Sequence, residues 1–354
     1  MKKNKALALS TLILLLTSCL TDIIDNVSVK TEKEIPFKIE VLQESREIVL
    51  EQTRAWENKT LGYFNIIPED KVWSMWYNSR GTINKKGDLS QTLNYAYSID
   101  KGKTWIKSFS INDVNIESDT IPNTIFGTGN YDGVVEQFVF KDTLNNQYKL
   151  IGAAWDKIEK KLKTFIWASI DKIRWTDKTL LFDAYYDTQF SVILKENEYN
   201  IYHRLIINEG TRGVAKTVLD SNMNIVKGPD VIFSNSGNYN FIHVYNSAAS
   251  YVNDSLTLFF PTLYDHNTDK MFIGVAYETK NDYSMTNIDI TQELFYNQNI
   301  LWGIVSPSLI PTEEPNVYWI YYYGDSRFHN DRATTQGYTR YYRVKIKISK
   351  STSL

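Results

Sequence analysis

Beyond a short lead-in, the chain repeats one kind of unit five times: three short apolar or aromatic runs separated by turn residues. A repeat limits the fold more than any other feature, because each unit needs its neighbours to bury its faces. The first unit reads "GYFNII", "KVWSMWYNS", "LNYAYSIDKGKTW", and the second "GVVEQFVF", "QYKLIGAAW", "KTFIWASIDKIRW". The third is "QFSVILK", "EYNIYHRLII", "RGVAKTVLD", and the fourth "IHVYNSAASYV", "SLTLFFPTLYD", "MFIGVAYETKNDYS". The last is "ILWGIVSPS", "NVYWIYYYGDS", "TRYYRVKIKI". These runs are β-branched or aromatic and are bounded by Gly, Asn, Asp and Pro, so they read as strands. Helical periodicity is convincing only over Glu40 to Val49, ahead of the first unit. Antiparallel three- or four-stranded units spaced roughly 50 to 65 residues apart describe an all-β, five-bladed β-propeller. Two β-sandwich domains compete with it, but they need a linker near the middle, where no Pro/Gly/Ser-rich break occurs.

The N-terminus reads separately. Lys2, Lys3 and Lys5 precede an apolar run from Ala6 to Leu16, too short to span a bilayer of ~30 Å and suited to a signal peptide. The run ends in Leu16-Thr17-Ser18-Cys19, which resembles a bacterial lipobox, and Cys19 is the sole cysteine of the chain. One cysteine excludes a disulfide framework, and its place fits lipidation. The expected organisation is a lipoprotein signal peptide over 1–18, a lipidated tether and lead-in over 19–50, and the propeller over 51–350. The expected address is a bacterial cell envelope, outer membrane or cell surface, with membrane attachment through the lipid on Cys19.

Charge gives no partner: 39 basic against 41 acidic side chains leave a net of -2, so nucleic acid is not expected. Aromatic residues make up 14% of the chain, with 24 Tyr and 9 Trp. Strand packing uses such residues, and a surplus also suits a surface that stacks on sugar rings.

Ser98-Ile99-Asp100-Lys101-Gly102-Lys103-Thr104-Trp105 matches S-x-D-x-G-x-T-W and resembles the Asp box on the outer hairpins of sialidases and other propellers. Its residues serve the turn itself, in that Asp100 accepts backbone N–H groups, Gly102 supplies a positive φ, and Trp105 plugs the blade. A degenerate copy runs from Ser169 to Trp175 in the second unit. Recurrence once per blade points to structure, since an active site needs different residues converging once.

A wider resemblance rests on Trp56-Glu57, the strand containing Met75-Trp76-Tyr77, and Tyr95-Ala96 running into the Ser98–Trp105 turn. Asp187-Thr188-Gln189 at the third unit and Tyr245-Asn246-Ser247-Ala248-Ala249 at the fourth extend it. Together these resemble the five-bladed glycosidase-like proteins of the invertase, levansucrase and arabinanase kind, similar to the N-terminal part of glycosyl hydrolase family 32. The resemblance implies a propeller that acts on or binds carbohydrate. The "NDPNG", "RDP" and "EC" signatures of invertases are absent, so no catalytic role transfers by motif.

Glycoside hydrolysis needs two carboxyl groups, about 5 to 5.5 Å apart for retention or 6.5 to 9.5 Å for inversion. Candidates at the innermost strands are Glu57, Asp132, Glu136 and Asp187. Glu136 is the expected general acid, Asp187 a base or nucleophile, and Glu57 a further carboxylate, since crowded carboxylates raise one another's pKa. Sugar-binding candidates are His203 and Arg204 after "NIY", His243, Tyr245 and Asn246 opening the fourth unit, and Asp325, Arg327 and His329 in "YYYGDSRFHNDR". No zinc pattern, phosphate loop or Ser-His-Asp signature is readable, so no cofactor is expected and no metal ligands are assigned; a calcium ion on the propeller axis stays open, with no ligand run to specify it. A glycoside hydrolase, a non-catalytic carbohydrate-binding lipoprotein and a protein-interaction propeller all remain open, as does the oligomeric state.

Overall fold

The computed structural model describes residues 35–82, 89–108, 123–127, 133–207, 211–234, 243–265, 267–279, 282–296, 298–330 and 337–351. The signal-peptide and lipidation readings, Cys19 included, lie outside these residues, as does Asp132. The propeller spans residues 39–349. Of the other unit, 1–38 and 350–354, only residues 35–38, 350 and 351 are described, and there Ser351 donates its backbone N–H to the Pro36 carbonyl at 3.1 Å.

Strand β1 (Phe37–Glu51) leads into blade 1, made of β2 (Thr60–Ile67), β3 (Trp73–Thr82), β4 (Leu89–Ser98) and β5 (Thr124–Phe126). Blade 2 holds β6 (Val135–Asp142), β7 (Gln147–Asp156), β8 (Lys161–Ser169) and β9 (Thr179–Phe182). Blade 3 holds β10 (Ser191–Lys195), β11 (Glu198–Ile206), β12 (Arg212–Leu219) and β13 (Ile225–Phe233). In blade 4 the innermost strand is split into β14 (His243–Val244) and β15 (Ala249–Asn253), and the next into β16 (Leu256–Phe259) and β17 (Thr262–Asp265). Pro261, at the second break, has no N–H to give the ladder. Strands β18 (Lys270–Thr279) and β19 (Asp282–Asp289) complete that blade. Blade 5 consists of β20 (Trp302–Pro311), β21 (Val317–Asp325) and β22 (Thr339–Lys350), with β1 as its outermost strand.

The place of β1 corrects two expectations. Glu40 to Val49 is a strand, not a helix, and the propeller begins before residue 51. The reason is tertiary: β22 offers an unpaired edge, and β1 satisfies it. Ser45 Oγ accepts the Lys345 N–H at 2.8 Å, and Glu47 takes the Arg343 Nε–H at 2.8 Å. A free sheet edge outweighs the weak local preference of one amphipathic segment.

Inner strands β2, β6, β10, β15 and β20 touch in succession, and β20 returns to β2. Their facing edges carry backbone groups that need partners, and buried polar side chains supply them. Asn65 bridges to Val139 on the neighbouring blade, donating to its carbonyl at 2.7 Å and accepting its N–H at 3.0 Å. Gln189 donates to the carbonyls of Phe64 at 2.9 Å and Gln137 at 3.0 Å, and Ser306 donates to Phe64 at 2.8 Å. Between blades the packing is apolar and aromatic, as where Phe64 stacks on Tyr341 with centroids 4.0 Å apart.

The turn after β4 is built from side-chain hydrogen bonds. Asp100 accepts the Lys103 and Thr104 N–H groups at 3.1 and 2.9 Å, and Ser98 Oγ accepts that of Gly102 at 2.8 Å. Gly102 has φ +76°, and a Cβ there would meet Trp73 and the Tyr321 hydroxyl at 2.7 Å. Trp105 donates its indole N–H to the Gly102 carbonyl and packs on the core between blades. In blade 2, Asp171 accepts the N–H groups of Ile173 and Arg174 in the same way, with Lys172 at φ 74° in place of glycine.

Candidate active site

The inner strands β2, β6, β10 and β20 all begin at one face of the ring. At that face their first residues enclose a cavity of about 190 Å³, with Tyr63, Glu136, Asp187, Tyr245, Trp302 and Tyr323 in its wall. A larger groove, about 770 Å³, opens at the opposite end, where β2, β10 and β20 finish. Its acidic side chains, Glu196 and Asp254, are exposed, so the smaller cavity is the one with chemistry in it.

Local backbone irregularity aims the residues of this cavity. The register of β6 against β7 jumps between Val135 and Phe138, leaving Glu136 and Gln137 opposite Gly152 alone. Glu136 adopts φ 53° at this bulge. Side-chain atoms added to Gly152 would meet Val134 at 2.6 Å, so the close approach requires glycine. A second jump, between Leu61 and Phe64, displaces Gly62 and Tyr63 from the β2 ladder. Bulges of this kind re-aim side chains that regular pleating would alternate.

Glu136 is half-buried, and its Oε2 is shut off from solvent without a hydrogen-bond partner. Burial and the nearby Asp187 carboxylate push its pKa up to about 8, against the opposing pull of Arg204 and the Tyr185 hydroxyl. It therefore holds its proton at neutral pH. Asp187 precedes β10 and is 45% exposed; Arg204, 2% exposed, forms an ion pair with its Oδ2. Tyr185 donates to Asp187 Oδ1 at 3.0 Å, and Arg212 approaches Oδ2 at 3.9 Å. The Tyr185 hydroxyl thus stands beside Asp187 and also acts on Glu136, and the Asp187 carboxylate is close enough to Glu136 to raise its pKa. Arg204 and Arg212 both lie over the Tyr245 ring, at 4.6 and 5.3 Å. Tyr63, whose hydroxyl lies 3.5 Å from Thr188 Oγ1, has its pKa driven far up, first by burial and then by Tyr245, so it remains a neutral donor.

Of the residues anticipated from sequence, Glu136, Asp187, Arg204 and Tyr245 come together here. Glu57 does not line the cavity. Wholly buried at the end of a 3-10 turn, Ala55–Glu57, it accepts from Tyr77 at 2.7 Å, from Lys107 at 2.6 Å, and from the Thr53 and Arg54 N–H groups at 2.9 and 3.1 Å. Three donors converge on Oε2 and Tyr77 holds Oε1, and with the side chain fully buried Glu57 anchors a turn out of a sugar's reach. Asn246 is likewise occupied, its side-chain oxygen accepting the Thr262 N–H at 2.8 Å across the break in blade 4.

Asp325 and Arg327, expected to bind substrate, form a buried two-pronged ion pair with both contacts at 2.8 Å, and Arg327 also donates to the Lys59 carbonyl at 3.2 Å. Their work is to join blade 5 to the entrance of blade 1. His203 is fully buried between Thr217 and the Arg204 carbonyl, and burial lowers its pKa to about 4. His243 sits one step behind the site, accepting the Arg212 N–H at 3.2 Å. His329 packs edge-on against Trp302 and Tyr245, at 5.0 and 5.6 Å. Sequence reasoning missed Tyr63, Tyr185, Arg212, Trp302 and Tyr323. Each is an ordinary strand or loop residue in sequence, and no motif separates it from the other aromatic and basic residues.

No family model matches the chain, and no curated protein matches it. Solved structures do. The catalytic domain of a GH62 α-L-arabinofuranosidase from Coprinopsis cinerea aligns with TM-score 0.55 at 9% identity, covering 84% of this chain and 94% of its own. A thermostable family-43 glycoside hydrolase aligns with TM-score 0.54 at 13% identity, covering 83% of this chain and 95% of its own. An α-L-arabinofuranosidase from Podospora anserina, solved in complex with cellotriose, gives TM-score 0.54 at 9% identity, with 84% and 94% covered. The chain is a five-bladed β-propeller that shares its fold with these glycoside hydrolases.

Proposed function

We propose that the protein is a glycoside hydrolase that takes a poly- or oligosaccharide at the axial cavity, with Glu136 as general acid and Asp187 as base or nucleophile. The observation that carries this reading is one proton-holding carboxyl, Glu136, beside one arginine-paired carboxylate, Asp187, in a single aromatic-walled cavity. Two carboxyls in unlike surroundings divide the labour: one has a proton to give, the other a lone pair to use. Glu136 protonates the glycosidic oxygen as its bond to the anomeric carbon breaks. Asp187 either takes a proton from the attacking water or attacks the anomeric carbon itself. Tyr63, Tyr245 and Tyr323 offer rings and hydroxyls to a sugar. The shared fold with arabinofuranosidases agrees with a sugar substrate.

The test is release of reducing ends from a panel of plant and microbial polysaccharides. Glu136→Gln and Asp187→Asn should each lower turnover by about 10²-fold or more. Parental rates in both variants overturn the assignment. A second reading, sugar binding without turnover, draws on the Arg204 ion pair, which occupies one Asp187 oxygen. It requires saccharide binding with no product from any member of the panel.

The proposed address is a bacterial envelope, reached through a lipid on Cys19. Cys19→Ala should move the protein from the membrane fraction to the soluble one; retention on the membrane overturns the anchor.

A further inference from the structure

The charges around the cavity do not balance. Arg204 is 2% exposed and packs on two wall residues, Asp187 and Tyr245. Its Nη1 is buried with no hydrogen-bond partner among the described residues. A buried guanidinium nitrogen left unpaired is costly unless a ligand completes it. Arg212, 30% exposed, covers the same Tyr245 ring and stands 3.9 Å from the same carboxylate oxygen. Arg80 lines the cavity and is exposed. Arg204 and Arg212 back the wall through Asp187 and Tyr245 while Arg80 lines it, and against these three cations the described wall offers two acids, Glu136 and Asp187, of which Glu136 holds its proton at neutral pH. An uncharged sugar gains little from such an excess. An anion gains charge-assisted hydrogen bonds, and guanidinium groups present paired donors matched to carboxylate and sulfate.

We propose that the cavity selects a glycan carrying an acidic group, a uronate carboxylate or a sulfate ester, which Arg204 and Arg212 receive beside Tyr245 with Arg80 at the mouth. The inference rests on the carbohydrate reading above and narrows it to acidic saccharides. Asp187 lies next to this anion subsite, so the acidic group belongs on the sugar adjoining the bond that is cut. Both anions place two or three oxygens within reach of the guanidiniums, so the geometry supports the shared chemistry.

Matched pairs of oligosaccharides separate the two sources. The probes are trigalacturonate with its methyl ester, a glucuronic-acid-substituted xylo-oligosaccharide with its carboxyl-reduced form, and a sulfated galactan oligosaccharide with its desulfated form. Binding is measured by calorimetry on the full chain carrying Glu136→Gln, which suppresses turnover. At least one charged member should bind about tenfold tighter than its neutral partner, a difference of about 1.4 kcal/mol. That preference should shrink as salt rises. Adding Arg212→Gln should reduce it to about threefold or less, and Arg212→Lys should restore part of it. Preference for the uronates or for the sulfated probe names the anion. Neutral members binding as well as charged ones in every pair overturns the acidic-glycan proposal and leaves hydrolysis standing. Charged probes that bind but are never cleaved by the parent chain support this proposal and overturn hydrolysis. Binding of no saccharide overturns both.

Discussion

Glu136 combines a strained backbone with a displaced proton equilibrium. A non-glycine residue at φ 53° costs on the order of 1–3 kcal/mol, and the blade holds it there only because β6 is bulged. Its folded-state pKa, about 8, lies above the ordinary value of 4.5, so the folded chain binds this proton more tightly than the unfolded chain does. The stability this group contributes is complete below about pH 4.5, declines as pH rises to about 8, and is flat beyond. Glu136→Gln removes that decline. Melting curves from pH 5 to pH 9 should show the variant gaining on the parent by up to about 4 kcal/mol, several degrees in Tm. An unchanging gap refutes the raised pKa. Under the proposed general-acid role the same proton governs the alkaline limb of turnover, and hydrolysis should fall through about pH 8 as Glu136 ionises.

Among the elements, β1 is the one whose role depends wholly on a distant partner. It covers the edge of β22 and supplies Glu47 to Arg343 and Glu51 to Arg340. Arg343 in turn stacks on Trp319 at 4.1 Å and donates to the Lys101 carbonyl at 2.9 Å, next to the turn of blade 1. A chain starting at residue 52 should lose its cooperative melt or drop about 10 °C or more in Tm, while one starting at residue 35 keeps the parental transition. Equal melting of the two by circular dichroism would show that β1 is dispensable. The turn after β4 is the opposite case. Its hydrogen bonds join residues within one octapeptide, so Ser98, Asp100, Gly102 and Trp105 were readable without any neighbour. The short outer strands β5 and β9 escaped notice because three or four residues carry no usable period.

At the scale of the whole ring, closure is made twice: by β1 on the outside and by Arg327 near the axis. Arg327 ties Asp325 at the end of β21 to the Lys59 carbonyl just before β2. Arg327→Ala strands a buried carboxylate and should cost about 3–5 kcal/mol, with saccharide affinity per folded molecule unchanged. Denaturant melts and binding measured on the same sample separate that outcome from a direct substrate contact, which would weaken affinity without loss of stability. The sequence by itself determined the five units, their three principal strands and the strand ends from which site residues come, because alternation and turn chemistry are local. Glu136, Asp187, Arg204 and Tyr245, named from sequence as candidates, lie together at the candidate site. Only the tertiary structure decided that Glu57, Asp325 and Arg327 spend their charges on the frame, and that Arg212 and Tyr63 stand at the candidate site. Whether a carboxylate is free or consumed depends on donors brought from other blades, and no single stretch of sequence carries that information.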